Sequence, residues 1–499
     1  MGAQKADRSR WIVLATVVFG TFLGMLDQTV VNLALPKIIG DFGISVSDVS
    51  WVSTAYILAN AIFVPIWGKL GDVAGRKRIY LIGFIGFIIA SGLCAIAWNL
   101  TSMIIFRVIQ GFAVSADYPT AMAILAVTFL DDKERAQALG IWSAAFAVAS
   151  VFGPLIGGPL IDNFGWRSVF FINIPLGIVG LFLALTFISE SVGEKREARF
   201  DWWGASFLGV ALFAITLVLD RGQSWGWTSA PSLISYLIFG VFLSLFIRAE
   251  RRQSEPIINL KFFRIPTFVF ALLNNFIVFM AMMGGVFLIP IFAETFMGYS
   301  ATQTGYLFIP MAVVLMGSSV LGGRLMYKVE SRYVIFIGTL IASIALFLLS
   351  NIDAQSGALA IILPICVLAF GLGSGMAQRT NIVASSVPKR DVGEASAVLA
   401  LVRNISGAFG IAISSTVLDG SIKQNIFNIS QNSVLNVINP ANLKIFQELI
   451  ILKAQVSGYD AAFIYSAVII FLGSFTALLI RIPGELKRGR PETTSMAQA

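Results

Sequence analysis

Apolar stretches of about twenty residues recur along the whole chain, and they constrain its fold more than any other feature. We count fourteen of them among 499 residues, of which 57% are hydrophobic and only 12% are charged. Soluble domains average about a quarter charged residues, and a helix needs roughly 20 apolar residues to cross a bilayer core. These runs are too long and too continuously apolar for barrel strands. The sequence therefore predicts an all-α polytopic membrane protein and excludes a soluble helical protein with a large core.

The distribution of cations predicts the orientation of these spans. The fourteen predicted spans are 12–34, 49–70, 79–97, 101–123, 137–160, 168–188, 203–220, 232–248, 268–290, 303–323, 333–350, 358–380, 394–416 and 460–482. Because fourteen is even, both termini lie on one side, and the loops of that side carry most of the 35 Lys and Arg. This bias predicts cytoplasmic termini. The net charge of +8 is therefore a topology signal, and no nucleic-acid partner is expected.

Four absences narrow the chemistry that the chain can perform. The first span holds Asp27 and lacks a small-residue cleavage pattern, so we interpret it as retained rather than as a signal peptide. Cys94 and Cys366 lie far apart inside apolar runs and indicate neither a disulfide nor a metal site. Histidine is absent, so a proton-carrying side chain has to be a carboxylate. The sequence has no phosphate-loop motif, which leaves an ion gradient as the energy source.

A short polar turn separates the second and third spans, with the sequence GKLGDVAGRKR at residues 68–78. Gly68 and Gly75 permit a tight turn, and Asp72 can pair with cations across the loop or with the positive end of a neighbouring helix. Together with Arg76 and Lys77, such a charge relay can work as a conformational latch. A simple positive-inside anchor would explain the cations but not the acid and the glycines. The pattern resembles the loop between the second and third helices of the major facilitator superfamily.

This resemblance implies a secondary transporter of two six-helix bundles, with fourteen spans implying an extra helix pair between them. The expected organisation is an N-terminal bundle at 11–188, an inserted pair at 189–255, a C-terminal bundle at 256–483 and a cytoplasmic tail at 484–499. A long external loop is expected at 417–459, holding either a helix on the membrane surface or a short solvated helix. The resemblance further implies a monomer in the bacterial inner membrane, without a cofactor and driven by protons.

Asp27 lies deep in the first span, in the segment LDQTVVNLALP at residues 26–36. An ionised carboxylate there costs on the order of 2.5–3.5 kcal/mol, so it should face a polar cavity or be a structural acid neutralised by an Arg. Arg107 and Gln110 share one face of the fourth span, at about the depth of Asp27. Both segments resemble those of the fourteen-span drug/proton antiporters. The resemblance implies that Asp27 carries the proton and that Arg107 influences it; a structural ion pair is the alternative.

Asp117 lies ten residues after Arg107, about 15 Å nearer the cytoplasm. The superfamily usually has small or apolar residues in this segment. We consider a second proton site, a contact for a cationic substrate, or a partner of another Arg. The substrate cavity is expected to include Asp117 and four further polar side chains. These are Gln28, Asn32, Gln110 and Arg403.

The fifth span carries small residues and a proline in a spaced pattern. They are Gly140, Gly153, Pro154, Gly157 and Gly158. Small residues at this spacing permit tight helix packing, and the proline makes a kink. The pattern resembles the antiporter motif of the superfamily, with Ala149 replacing one glycine, and this resemblance implies export.

These features together predict a proton-coupled antiporter that exports amphipathic, often cationic drugs or toxic compounds from the cytoplasm by alternating access. Three alternatives stay open. One is a dedicated exporter of a lipid, siderophore or metabolite, and another is a proton symporter for nutrient uptake. The third is a non-transporting receptor or scaffold, in which Asp27 and the antiporter-like motif of the fifth span would have no functional role.

Overall fold

A computed structural model describes residues 2–129, 131–191, 202–253, 258–326, 328–388, 392–432 and 440–481, apart from some helical side chains. Every regular element in these ranges is helical. The first elements are α1 (Gly2–Phe42), α2 (Val46–Ala74), α3 (Arg76–Ala95), α4 (Leu100–Val114), α5 (Asp117–Thr128), α6 (Asp132–Phe164), α7 (Ser168–Phe171) and α8 (Asn173–Phe187). They are followed by α9 (Trp202–Trp225), α10 (Ala230–Arg252), a 3₁₀ turn (Leu260–Arg264), α11 (Pro266–Phe296), α12 (Ala301–Leu325), α13 (Ser331–Leu349), α14 (Ala358–Ser385), α15 (Val392–Asn432) and α16 (Pro440–Leu478).

Twelve helical segments among the described residues are long and apolar enough to cross a membrane. The pairs α4–α5 and α7–α8 each contribute one such segment, Leu100–Thr128 and Ser168–Phe187. The polytopic all-α prediction is therefore confirmed, with twelve candidate spans where the sequence predicts fourteen. Helices α2 and α6 are the two long helices outside this count.

The fourth predicted span is broken between α4 and α5. Pro119 lacks a backbone N–H, and its ring clashes with a continuous helix at the preceding turn, which is where α4 ends. The break places Asp117 in the first turn of α5, where a helix N-terminus favours negative charge.

The helices assemble into two groups that contact each other. Helices α1 to α8 pack on one another, and so do α11 to α16. The groups meet where α2 packs on α15, α6 on α12 and α1 on α11. The pair α9–α10 packs together, and α9 also contacts both α2 and α15.

The contact between α6 and α12, which we call the α6–α12 seam, is a close approach of the two groups. A Cβ on Gly158 would lie 2.5 Å from the Cα of Thr302, and a Cβ on Gly305 would lie 2.6 Å from the carbonyl oxygen of Pro154. Asp162 accepts hydrogen bonds from two backbone N–H groups in the first turn of α12, at 3.0 and 2.9 Å. The seam lies at the end of α6 away from the N-terminus of α1, on the side expected to be external.

The long external loop expected at 417–459 is wrong for most of its length. Helix α15 continues to Asn432 and α16 begins at Pro440, while residues 433–439 lie outside the described part of the chain. The 41 residues of α15 would span about 60 Å, twice the thickness of a bilayer core. Polar residues can end a membrane span without ending a helix, which is why composition misplaced the boundary. The expected separate surface helix is instead the first part of α16.

Candidate functional site

A closed polar cluster occupies the centre of the first helix group. Asp27 of α1 accepts hydrogen bonds on Oδ2 from Nη1 of Arg107 at 2.8 Å and on Oδ1 from Nε2 of Gln110 at 3.0 Å. Oδ1 also accepts a bond from Nδ2 of Asn173 at 2.7 Å. The side chains of Arg107 and Asp27 are 1% and 0% exposed. The expected meeting of Asp27 and Arg107 is therefore observed, but Asp27 is enclosed by partners and does not face a cavity in this conformation.

Arg107 also connects the cluster to α2. Its Nε donates to the backbone carbonyl of Val52 at 3.0 Å, and its guanidinium lies 4.1 Å from the ring centroid of Tyr56. Helix α4 can approach α2 this closely because it carries Gly111, where a Cβ would lie 2.5 Å from the carbonyl oxygen of Tyr56. Arg107 therefore joins Asp27 to α2, and α2 packs on α15 at the interface between the helix groups.

Two members of the cluster were not found from the sequence. Asn173 comes from α8, and Ser91 of α3 accepts a hydrogen bond from Gln110 at 2.9 Å. Both are neutral polar residues in apolar spans, which is the only signal that the sequence carries for them. The cluster therefore draws on α1, α3, α4 and α8, and every polar group of the Asp27 carboxylate has a partner.

The side chains proposed for the substrate cavity occupy different environments. Gln28 and Asn32 are half-buried, and Asn32 accepts a hydrogen bond from Ser53 at 3.1 Å. Gln110 is 0% exposed and committed to Asp27, so a substrate cannot touch it in this conformation. Arg403 of α15 is half-buried.

Arg403 lies mid-way along the second helix group, and its guanidinium contacts neutral groups. Its Nη2 donates to Oγ1 of Thr380 at 3.1 Å, its Nε to Oδ1 of Asn275 at 3.4 Å, and it lies 4.9 Å from the ring centroid of Phe279. Its electrostatic partner in the first group is Tyr118 of α5. The side chain thus faces the first helix group without a carboxylate among its described contacts.

Asp117 lies against α1 and α3 rather than beside a cation. Its Oδ2 accepts a hydrogen bond from Thr21 at 2.7 Å, and Oγ1 of Thr21 in turn accepts one from Trp142 at 2.8 Å. Oδ1 of Asp117 and the hydroxyl of Tyr80 are both buried, and the two side chains lie close enough to interact with each other. Both residues line a cavity of about 20 Å³, large enough for one water molecule. Among the described residues Asp117 has no Arg partner, and its hydrogen bond comes from Thr21.

The turn at residues 68–78 binds other parts of the first helix group. Gly75 has φ +104°, a conformation that favours glycine, and a Cβ there would lie 2.7 Å from the carboxylate of Glu190. Glu190 accepts hydrogen bonds from the backbone N–H groups of Lys77 and Arg78, both at 3.1 Å. Arg76 donates to a carbonyl in α5 at 3.3 Å. Glu190 is therefore the acid that caps this turn, and sequence reasoning missed it.

Gly68 and Asp72 belong to the same turn, whereas Gly140 lies in α6. Gly68 lies against Pro119, where a Cβ would be 3.3 Å from the proline Cβ, so α2 and α5 pack closely. The side chain of Asp72 lies outside the described residues. So do the surroundings of Gly140 in α6.

The remaining small residues of α6 serve two different contacts. Gly153 and Gly157 face α1, where a Cβ on Gly157 would lie 2.6 Å from a methyl group of Val30. Pro154 and Gly158 face α12 across the α6–α12 seam. One helix thus packs tightly both on its own group and on the other group.

Residues 17–411 match the family model for the Major Facilitator Superfamily. The chain belongs to this superfamily. It is 32% identical over 423 residues to the multidrug transporter protein MdtP of Bacillus subtilis strain 168, covering 84% of this chain and 77% of MdtP. It is also 30% identical to the riboflavin transporter RibZ of Clostridioides difficile strain 630, covering 84% of this chain and 90% of RibZ.

Solved structures of transporters have the same fold. A bacterial homologue of the human lysosomal transporter Spinster, in an inward-facing and occupied conformation, superposes with a TM-score of 0.67. That match covers 94% of this chain and 96% of the homologue at 17% identity, so it concerns the fold alone. The superfamily and the described geometry together identify a multi-pass transport protein rather than an enzyme.

Proposed function

We propose that this protein is a proton-coupled antiporter that exports amphipathic, often cationic compounds from the cytoplasm by alternating access. The observation that carries the proposal is the carboxylate of Asp27, buried in a span and held by Arg107, Gln110 and Asn173. An ionisable residue inside a membrane is a costly feature that marks ion pathways and proton relays. Similarity to a named multidrug transporter supports export of drugs or toxic compounds.

Protonation of Asp27 would change the cluster in a specific way. A neutral carboxyl keeps one carbonyl oxygen for Gln110 and Asn173 but loses the charge that attracts Arg107. Arg107 would then rely on the carbonyl of Val52 and the ring of Tyr56, both in α2. Because α2 contacts α15, this shift reaches the interface of the two helix groups and can bias the rocking motion.

We further propose that the chain has fourteen spans, namely the twelve candidate segments together with α2 and α6. Both are long enough, at 29 and 33 residues, to cross a bilayer core of about 30 Å. The division into bundles at 11–188 and 256–483 around an inserted pair at 189–255 fits the packing groups. The positive-inside bias supports cytoplasmic termini in the inner membrane, with the tail at 484–499 lying outside the described residues. We propose a monomer that needs no cofactor.

Asp117 is proposed as a second proton site. It lies beside a cavity for one water molecule, which the neighbouring Tyr80 also lines. A water there could exchange protons with the carboxyl, since buried waters typically make about three hydrogen bonds. Tyr118, the neighbour of Asp117, and Arg403 are proposed to contact cargo between the helix groups.

A dedicated metabolite exporter is the second candidate, because the chain is similar to the riboflavin transporter RibZ. The two candidates differ in cargo and share the proton site. An efflux-deficient host that produces the protein would distinguish the two candidates. Altered resistance to amphipathic cations would favour the first candidate. Unchanged resistance to all compounds tested, with altered secretion of a metabolite, would favour the second.

Everted membrane vesicles test the proposed antiport. With an imposed pH gradient, a compound selected by the resistance screen should dissipate the gradient in vesicles that contain the parent protein. Vesicles with Asp27→Asn should not respond, because an amide cannot bind the proton. Dissipation of the pH gradient by the Asp27→Asn protein would refute the assignment of Asp27. In whole cells, acidification of the cell interior on addition of substrate would indicate symport instead of antiport.

A further inference from the structure

We propose that Glu294 of α11 is a proton-binding switch of the α6–α12 seam, which takes up a proton from the outer side when the seam closes and releases it when the seam opens. The inference rests on the alternating access of the proposed function. It adds a proton-binding group outside the Asp27 cluster, and its role is to gate rather than to carry the coupled proton.

Glu294 is a buried carboxylate beside the closed seam, near Asp162 of α6. Both of its carboxylate oxygens are buried, and neither has a hydrogen-bond partner among the described residues. A charged carboxylate buried in this way is costly, whereas the protonated form loses far less on leaving water. The closed seam therefore selects the protonated form.

A second acid at the same place shows what a charged carboxylate needs there. Asp162 of α6 lies near enough to Glu294 for their charges to interact, and it accepts two backbone N–H groups of α12. Those bonds and the N-terminal dipole of α12 stabilise its negative charge. Glu294 lacks any such donor, and the charge of Asp162 opposes its ionisation.

The other charged and titratable neighbours do not supply a partner. Lys37 faces Glu294 from α1 but is exposed and donates no hydrogen bond to it. From α16, Tyr459 packs on the rings of Phe292 and Phe296, at 5.2 and 5.5 Å, and Asp419 of α15 interacts with Tyr459. None of these groups donates a hydrogen bond to the Glu294 carboxylate.

Because Glu294 is buried when the seam is closed and reached by water when it is open, the ratio of closed to open seam should depend on pH. When the seam opens, water reaches Glu294 and the carboxylate can ionise at no desolvation cost. Closure then requires a proton from the outer medium. Acid outside favours the closed seam and alkali favours the open one, by up to about tenfold in the ratio of the two states per pH unit. An inward proton gradient would thereby speed the return of the empty transporter.

Electron paramagnetic resonance distances can test the switch without any cargo. Spin labels would be placed at Trp98, after α3, and Asn351, after α13, which are exposed positions in the two helix groups. The labelled protein would lack Cys94 and Cys366 and would be studied in nanodiscs between about pH 5.5 and 8.5. We expect the parent to show a long-distance component that grows with pH.

Glu294→Gln should give the short, closed distance at every pH, because the amide mimics the protonated acid. Lys37→Gln, a surface change that does not threaten folding, should move the transition to higher pH, since removal of the cation favours protonation. Asp353→Asn, at an exposed acid on the same side, is the control and should match the parent.

Three results would overturn the proposal. They are a parent without pH dependence, a Glu294→Gln protein with the parent's pH dependence, and a Lys37→Gln protein with an unshifted transition. Asp27→Asn separates this inference from the proposed function. Loss of the pH response in Asp27→Asn but not in Glu294→Gln assigns gating to the Asp27 cluster, whereas the reverse pattern supports Glu294 even if Asp27 fails in the vesicle assay.

Discussion

Replacing Arg107 by Met should expose how strongly the central cluster depends on charge pairing. The change leaves Asp27 buried with the amides of Gln110 and Asn173 as its donors, and it leaves the carbonyl of Val52 without Arg107. Removing one member of a buried ion pair typically costs about 3–5 kcal/mol of unfolding free energy. We expect a loss in that range for Arg107→Met.

The double variant Asp27→Asn with Arg107→Met should be more stable than Arg107→Met alone. No uncompensated charge is left, and the remaining loss is mainly the additional hydrogen bond that Arg107 donates to the Val52 carbonyl, about 1.5–3 kcal/mol for a bond from a charged group. Asp27→Asn alone leaves Arg107 buried without its carboxylate and should also lose stability, so the coupling energy, which is the loss of the double variant minus both single losses, should be at least about 2 kcal/mol in magnitude. Unfolding in mixed micelles of dodecylmaltoside and SDS gives the free energies for this cycle.

Arg379 supplies the matched control for this cycle. It is buried like Arg107, but its described hydrogen bonds go to neutral groups, namely Asn274, Thr339 and the carbonyl of Leu372. Arg379→Met combined with Asp27→Asn should be additive within about 0.5 kcal/mol, since the two sites share no partner. Additive losses in the Asp27–Arg107 cycle as well would refute the pairing argument.

Three further substitutions test other parts of the account. Gly158→Val should lower export more than tenfold with normal expression, because its side chain would meet backbone across the α6–α12 seam; Gly40→Val, with open space around it, is the control in the same vesicle assay. Asp220→Asn should cost about 1–3 kcal/mol in the micelle assay, because it weakens the 2.6 Å bond from Trp51 that ties α9 to α2, and an unchanged stability would contradict this. Asp117→Asn should lower the number of protons exchanged per cargo in reconstituted vesicles, and an equal number would remove Asp117 from the proton path.

Sequence spacing predicted the pairing of Asp27 with Arg107 because depth in a membrane follows from residue count along a helix. It did not predict Asn173 and Ser91, since which face of α8 or α3 turns toward α1 depends on packing between helices. The same limit hid Glu190 and Glu294. Both residues look like charges at a membrane boundary in the sequence. In the structure Glu190 accepts hydrogen bonds from backbone N–H groups and Glu294 does not, which depends on how the helices pack.

The boundaries of α15 and α16 show a second limit. Composition reports where apolar residues stop, and it placed a loop at 417–459 for that reason. Helix continuation beyond the bilayer depends instead on the absence of strong breakers, and Pro440 suits the first position of a new helix. Membrane boundary and helix boundary are separate properties of this chain.

Proton release on cargo binding tests the central claim most directly. Purified protein in weakly buffered solution would be mixed with an exported compound, and the released protons would be counted with a pH indicator while cargo binding is measured in parallel. We predict that the parent releases protons on binding and that Asp27→Asn binds cargo while releasing fewer, by about one per molecule. Equal proton release by the parent and by Asp27→Asn would contradict the account.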